Sequence, residues 1–205
     1  MADLIIDGTS VISKTGSTVS ITNDVAFPTG HIIKITSTTL TTSHTYTVGG
    51  SNPDWAWKDT DLYHHITPTY SSSNILLQIH VSFSSTNDAY ARLVRYTNSQ
   101  FTSGHTPDGI NNGTSCTPIA VSTETSSSYV NTTGTGTFKY YVPSNQYKCD
   151  MLSFTHLDSP NTTEKTYYGF QGMVRGSGQT FRINTAANDY ATRAVSSLTL
   201  YEVAG

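Results

Sequence analysis

Residues 75–83 have the sequence ILLQIHVSF, and this stretch decides the fold class. Its odd-numbered positions, from Ile75 to Phe83, are all apolar, whereas Gln78, His80 and Ser82 fall between them. Successive side chains of a β-strand point to opposite faces, so a period of two is typical of a strand that buries one face. The sequence therefore predicts a long strand here, with its odd-numbered face in the core.

Further strands are predicted on both sides of this one. They are expected at residues 31–36, 62–70, 89–96, 137–142, 147–157, 166–174, 179–184 and 195–203. Gly176-Ser177-Gly178 predicts a hairpin turn between residues 166–174 and 179–184. The last strand is expected beside the first strand of the domain. About eight to ten strands at this spacing predict an all-β antiparallel sandwich, and a jelly roll fits their number and the chain length.

The composition favours strands over helices and argues against several functions. Serine and threonine make up nearly a third of the 205 residues, and threonine, tyrosine and valine suit a pleated surface. Charged residues account for 12% of the chain and the formal net charge is -3, so there is no basic stripe to bind nucleic acid. No apolar run is long enough to span a membrane as a helix. We therefore expect neither nucleic-acid binding nor membrane insertion.

The first thirty residues differ from the rest of the chain. Between residues 4 and 27, short apolar pairs alternate with turns, so each strand is too short to bury its own apolar face. Copies of the chain around a symmetry axis would supply the missing cover. We therefore expect residues 1–30 to form an intertwined β stem that anchors an outer sandwich formed by residues 31–205. The alternative is a frayed or edge-paired extension. The residues expected to form the anchor are Leu4, Ile5, Ile6, Val11, Ile12, Val19 and Ile21.

The motifs of common catalytic sites are missing. The sequence lacks the nucleophile elbow GxSxG, the phosphate loop GxxxxGK[ST], the zinc motif HExxH and a CxxC pair. A glycan-cleaving enzyme would need two carboxylates in one groove, and most of the few acidic residues fall in predicted turns. We therefore expect a non-enzymatic protein without a cofactor. Cys116 and Cys149 are expected to be partly buried thiols, and a bridge between them stays open.

The candidate metal ligands favour structural roles. His31 follows the expected stem and could hold a metal on a symmetry axis, but a surface or interface imidazole is the simpler interpretation. Asp54, Asp59 and Asp61 could supply oxygen ligands to calcium, yet the glycine and distal glutamate of an EF-hand loop are missing. No metal site is therefore expected.

Two aromatic-rich stretches are candidates for receptor recognition. Trp55 and Trp57 lie beside carboxylates, a combination that suits sugars because rings stack on pyranose faces and acids accept hydroxyl hydrogen bonds. Residues 98–115 form a long polar loop with aromatic residues, a usual place for recognition on a rigid sandwich. For the tryptophans the alternative is core or interface packing, and for the tyrosines an interface between subunits. The candidate receptor-binding residues are Tyr96, Phe101, His105, Asp108, Tyr129, Trp55 and Trp57.

Three phrases of the sequence resemble structural proteins of marine and cyanobacterial tailed bacteriophages. They are VAFPTGHI at residues 25–32, LDSPNTT at 157–163 and SLTLYEV at 197–203. Thr166-Tyr167 begins the strand after the second phrase, as it does in that family. The resemblance covers most of the chain and concerns tail-fibre-like virion proteins with a β-sandwich tip. It contributes no catalytic residue.

The resemblance implies a short homotrimeric tail fibre or spike, assembled in the host cytoplasm and exposed on the surface of the virion. Its partners would be other virion proteins, such as a tail adaptor or the capsid, and a host cell-surface glycan or outer-membrane receptor. Weak binding by each copy would be strengthened by avidity. Two alternatives stay open: a capsid or tail decoration protein without receptor binding, and a polysaccharide-degrading tailspike. The position on the particle also stays open, because many such fibres carry this module at the end of a longer chain.

Overall fold

The described part of the chain is built from antiparallel strands alone. The structure, a computed structural model, describes residues 4–6, 9–15, 18–21, 27–47, 57–87, 89–97, 116–120, 138–140, 149–174, 178–186 and 194–205. Up to residue 21, and in residues 138–140, the description covers the backbone only. No described residue lies in a helix, so the described part of the chain contains no helix that could cross a bilayer. The prediction of an all-β fold is confirmed.

The described residues contain fourteen strands in three sheets. The strands are β1 (Leu4–Ile6), β2 (Thr9–Thr15), β3 (Thr18–Ile21), β4 (Ile32–Leu40), β5 (His44–Thr47), β6 (Lys58–Ile66), β7 (Asn74–Ser85), β8 (Ala89–Thr97), β9 (Thr117–Ile119), β10 (Phe138–Tyr140), β11 (Asp150–Asp158), β12 (Thr166–Val174), β13 (Thr180–Ile183) and β14 (Ser196–Val203). The sheet of β1, β2 and β3 has no strand pairing with the other two among the described residues.

The large sheet contains β4, β5, β7, β11, β13 and β14. Its centre is β7, which pairs with β11 along one edge and with β14 and β13 along the other. β14 also pairs with β4, so the last strand lies beside the first strand of the sandwich, as predicted. The odd-numbered face of β7 is fully buried, which confirms the strand and its core face; these residues are Ile75, Leu77, Ile79, Val81 and Phe83.

The small sheet contains β6, β8, β9, β10 and β12, with β12 between β6 and β8. It packs on the large sheet through buried residues such as Leu62 and Tyr168, which share one core with β7. Phe170 of β12 meets Phe83 of β7 edge-on, with ring centroids 6.1 Å apart. The two sheets therefore form the predicted jelly-roll-like antiparallel sandwich.

The connection between β12 and β13 differs from the prediction. A hairpin is predicted from residues 176–178, but β12 pairs only within the small sheet and β13 within the large sheet. The hairpin prediction is therefore wrong, and the chain changes sheets here. The physical reason is core packing, because Phe181 and Ile183 of β13 are fully buried. Phe181 stacks on Tyr46 of β5 with a centroid distance of 4.7 Å.

The chain enters the sandwich beside the end of β14. Gly30 donates a backbone hydrogen bond to Ala204, and Ala204 donates one to His31, at 2.9 and 2.8 Å. The entering chain and the end of β14 therefore share one pole of the sandwich. The seven predicted anchor residues lie on the separate sheet: Leu4, Ile5 and Ile6 on β1, Val11 and Ile12 on β2, and Val19 and Ile21 on β3. The domain boundary at residue 30 stays a prediction.

Candidate functional site

A cleft of about 150 Å³ opens where β8 ends and β12 begins. The strands and their ends contribute one side of its lining, and the loop between β11 and β12 contributes the other. The strand residues are Arg95, Thr97, Thr117 and Thr166, and the loop residues are Pro160, Thr162, Glu164 and Lys165. The lining therefore combines threonine hydroxyls with charged groups of both signs, and Glu164 is the one carboxylate among its described residues.

A charged pair fixes the inner wall of the cleft. One guanidinium nitrogen of Arg95, Nη1, donates to both carboxylate oxygens of Asp158, at 2.9 and 2.8 Å. The Tyr168 hydroxyl donates to Oδ2 of the same carboxylate at 2.8 Å. Burial, followed by the Asp158 charge, raises the pKa of the Tyr168 phenol, which therefore stays a donor. Because charge-assisted hydrogen bonds are strong, they hold β8, β11 and β12 together beside the cleft.

The loop that borders the cleft is braced by its own side chains. Asn161 has a positive φ of 53°, a conformation that asparagine tolerates, and its side-chain amide donates to the Ser159 carbonyl at 3.1 Å. The Thr162 hydroxyl accepts from the backbone N–H of Glu164 at 3.1 Å. Thr166 donates to the Glu164 carbonyl, also at 3.1 Å. These local bonds set the loop in one shape before a ligand arrives.

Aromatic and cationic groups lie next to the cleft at the beginning of β12. The Lys165 ammonium lies 5.7 Å from the ring centroid of Tyr167, and the Tyr167 ring lies 5.3 Å from that of His65. Tyr167 is half-buried and His65 is exposed. Burial, followed by the Lys165 charge, lowers the pKa of His65, so its imidazole is neutral at pH 7. The beginning of β12 therefore presents the Tyr167 ring beside the Lys165 ammonium and the His65 imidazole.

A second polar cluster is fully buried on the outer face of the small sheet. Arg92 donates through Nε to the Gln171 side chain at 2.7 Å, and its guanidinium lies 4.3 Å from the Trp57 ring. Gln171 donates to Asp59 at 2.6 Å, and the Tyr96 hydroxyl donates to the same carboxylate. Burial, followed by the Asp59 charge, raises the pKa of Tyr96. A buried charge needs compensating partners, and Arg92 has the hydrogen bond to Gln171 and the Trp57 ring, so we interpret this cluster as structural.

The predicted receptor-binding residues do not come together at the cleft. Trp57 and Tyr96 are each only 2% exposed, which favours the packing alternative for both and opposes direct receptor contact. The other five, Phe101, His105, Asp108, Tyr129 and Trp55, lie outside the described residues. Sequence reasoning missed the cleft itself. The one available signal was the LDSPNTT phrase at residues 157–163, which contains part of the lining loop.

A series of close polar contacts around β5 and β6 was also missed. His44 contacts Asp61 through Nδ1 at 2.5 Å and Thr42 through Nε2 at 2.9 Å. A hydroxyl, an imidazole and a carboxylate in this order occur in nucleophilic hydrolases. The series lies apart from the cleft, whose lining includes none of the three residues.

The cysteines and acidic residues show no assembled metal centre in the described part of the chain. Cys116 and Cys149 are both free thiols rather than a disulfide. Burial raises the pKa of each thiol. Within the described ranges, no three histidine, cysteine or acidic side chains are grouped so that they could hold a metal ion.

Comparison with known proteins adds no family. No family model and no curated protein matches the chain. A structure of the infectious bursal disease virus Gx strain aligns at 10% identity over 100% of this chain and 47% of that chain, with a TM-score of 0.31. The infectious bursal disease virus VP2 subviral particle aligns at 9% identity over 95% and 46%, with a TM-score of 0.33. The chain thus spans about half the length of these two proteins. At such low TM-scores, neither alignment establishes a shared fold or a shared function.

Proposed function

We propose that the chain is a virion structural protein of a tailed bacteriophage, a short trimeric fibre or spike whose sandwich contacts the host surface. The observation that carries the proposal is the separation of β1–β3 from the sandwich. The sandwich has its own core, whereas the described N-terminal strands pair only with one another. The phage resemblance of residues 25–32, 157–163 and 197–203 supports the same interpretation.

The N-terminal sheet is too small to be stable by itself. Its strands contain 3, 7 and 4 residues, and a small isolated sheet needs a covering layer to bury an apolar face. Two further copies of the chain supply that layer when three sheets meet on a common axis. The stem then joins the copies to one another and to the virion, and three sandwiches extend outward.

The cleft is the contact site that this arrangement offers to a host glycan. Threonine hydroxyls, one carboxylate and one ammonium are groups that hydrogen-bond sugar hydroxyls. A cleft of about 150 Å³ encloses little of a ligand, so each copy binds weakly and three copies at fixed spacing supply avidity. Among the described residues of its lining, Glu164 is the one carboxylate, whereas hydrolysis of a glycosidic bond needs a pair.

A decoration protein without receptor binding is the second candidate, and one exposed row of side chains favours it. On the outer face of the large sheet, Tyr201 pairs with Ile35 and Leu76, and Leu76 pairs with Leu157. Ile35 and Leu157 are 58% and 53% exposed. Exposed apolar patches mark contact sites, and this apolar row would pack against a neighbouring copy in a capsid or tail lattice.

Adhesion to cells tests the proposal against the decoration candidate. Fluorescently labelled full-length protein is incubated with marine cyanobacterial cells, and bound protein is measured by cosedimentation. We expect saturable binding that lipopolysaccharide from the same cells reduces. The Leu157→Thr variant, which interrupts the apolar row, should bind cells as the unmodified protein does. Absence of cell binding, together with binding to purified phage particles that Leu157→Thr abolishes, would establish decoration instead.

A further inference from the structure

We propose that the cleft binds one ring of a neutral oligosaccharide, and that Tyr167 stacks on the neighbouring ring of the same ligand. This inference rests on the proposed adhesive function and names the chemical class of its ligand. It follows from three properties of the cleft, which are its hydrogen-bonding groups, its balance of charge and its size, and from the Tyr167 ring that lies next to its lining residue Lys165.

The hydroxyl groups of the cleft are matched to a polyhydroxylated ligand. A threonine hydroxyl donates one hydrogen bond and accepts up to two, as a sugar hydroxyl does. The Thr162 hydroxyl accepts a hydrogen bond from the Glu164 backbone N–H, so its own O–H group can donate to a ligand. The Thr166 hydroxyl donates a hydrogen bond to the Glu164 carbonyl, so its oxygen can accept one from a ligand. Thr117 is exposed and adds a third hydroxyl from β9.

The charges around the cleft cancel, which favours a neutral ligand. The Arg95 guanidinium is matched by the Asp158 carboxylate, with N···O distances of 2.8 and 2.9 Å. Lys165 and Glu164 are neighbours in the chain and both line the cleft. Among the described residues at the cleft, two cations and two anions therefore sum to zero. A phosphate, sulfate or uronate would need an excess of positive charge in the site, and the balance of these four groups provides none.

The size of the cleft and the position of Tyr167 indicate two adjacent rings. Clefts for drug-sized ligands measure about 300–1,000 Å³, so about 150 Å³ suits a single sugar ring. Lys165 both lines the cleft and lies over the Tyr167 ring, so it joins the two positions. A second pyranose would take the place of the Lys165 ammonium over this half-buried ring and stack its C–H groups there. A chain of sugars thus leaves the cleft across Lys165 and reaches Tyr167.

Saturation-transfer NMR on the full-length protein tests this assignment. The probes are three neutral hexasaccharides, maltohexaose, cellohexaose and mannohexaose, and hexagalacturonate as the charged comparison. At least one neutral probe should receive saturation, whereas hexagalacturonate should receive less. In Thr117→Val, which removes a hydroxyl and keeps the side-chain shape, the dissociation constant should rise about fivefold, the effect of one neutral hydrogen bond. Tyr167→Thr should also weaken binding, and circular dichroism establishes that each variant is folded.

Thr155→Val is the matched control, because Thr155 is exposed on β11 of the large sheet and does not line the cleft. This variant should bind as the unmodified protein does. The assignment is overturned if no neutral probe binds, if hexagalacturonate binds more tightly, or if Thr117→Val and Thr155→Val behave alike. Cell adhesion that survives Thr117→Val would leave the proposed function standing and place its receptor elsewhere. Loss of both saccharide and cell binding in the unmodified protein would remove the two proposals together.

Discussion

Arg95 of the small sheet donates to both carboxylate oxygens of Asp158 of the large sheet, and this pair closes the sandwich beside the cleft. Asp158 is 8% exposed, so its charge has little access to water. The Tyr168 hydroxyl is its other hydrogen-bond donor. The geometry of the cleft wall therefore depends on one ion pair between the two sheets.

Replacing Arg95 by methionine should destabilise the fold. The substitution keeps the aliphatic stem and leaves the Asp158 charge without its cation, at a cost of about 2 kcal/mol in the free energy of unfolding. Urea denaturation followed by tyrosine fluorescence measures it. The comparison is Lys34→Met, since the Lys34 side chain is 44% exposed and lies 3.6 Å from the buried Glu202 carboxylate, which keeps its hydrogen bonds from Thr69 and Ser73. The loss should therefore be smaller in Lys34→Met, and equal losses in the two variants would contradict the role given to the Arg95 pair.

Glu202→Gln should be among the most damaging conservative substitutions. The Glu202 carboxylate is fully buried and accepts hydrogen bonds from the Thr69 backbone at 2.5 Å, the Thr69 hydroxyl at 3.0 Å and the Ser73 hydroxyl at 2.8 Å. An amide group would turn an N–H toward some of these donors, so we expect a loss of about 2–3 kcal/mol. Thermal unfolding measures it, and Glu164→Gln on the exposed loop is the control. A melting temperature unchanged by Glu202→Gln would contradict the role of this carboxylate.

Two glycines of β12 provide a matched pair for core packing. A Cβ atom at Gly172 would lie 2.6 Å from Phe181, whereas one at Gly169 would lie 3.5 Å from its nearest neighbours, an ordinary contact. Gly172→Ala should therefore cost about 1–3 kcal/mol, because the Phe181 ring is fixed between Tyr46 and Phe83. Gly169→Ala should be neutral or slightly stabilising. Chemical denaturation of both variants checks the difference, and the reverse order would mean that Phe181 is packed elsewhere.

His64 should make the fold less stable in mild acid. Burial, followed by the His65 charge, lowers the pKa of His64 from its ordinary value of 6.5, and Nε2 lies 2.5 Å from the Thr36 hydroxyl. The unfolded chain then binds a proton more readily than the folded one, so this stability is complete above about pH 6.5 and declines below it. In His64→Gln the decline in melting temperature below pH 6.5 should be shallower. An unaltered pH profile would contradict the assignment.

The sequence predicts the strands that carry a recognisable residue pattern of their own. The alternation in residues 75–83 predicts β7 and its buried face, and β12 spans the predicted residues 166–174. The short strands β5 and β9 were missed, although β10 and β13, which are as short, fall within predicted strands. The strands β5 and β9 are stable because of their partners β13 and β8, which lie far away in the chain.

The cleft and the buried positions of Trp57 and Tyr96 depend on tertiary structure. The cleft joins β8, β9, β12 and a loop, and only strand pairing brings them together. Both faces of β8 are buried, one by the shared core and the other around the Arg92 and Gln171 network. In the β8 sequence, AYARLVRYT, each face carries one arginine and is otherwise largely apolar. This low charge on both faces is a local signal that Tyr96 is buried.

Sedimentation equilibrium of the 205-residue protein and of a variant without residues 1–26 tests whether the N-terminal sheet holds three chains together. That truncation retains the hydrogen bonds of Gly30 and His31 to Ala204. We expect a mass of three chains for the 205-residue protein, and a folded single chain for the truncated one. A 205-residue protein that sediments as one chain, or a truncated protein that is still trimeric, would contradict this expectation.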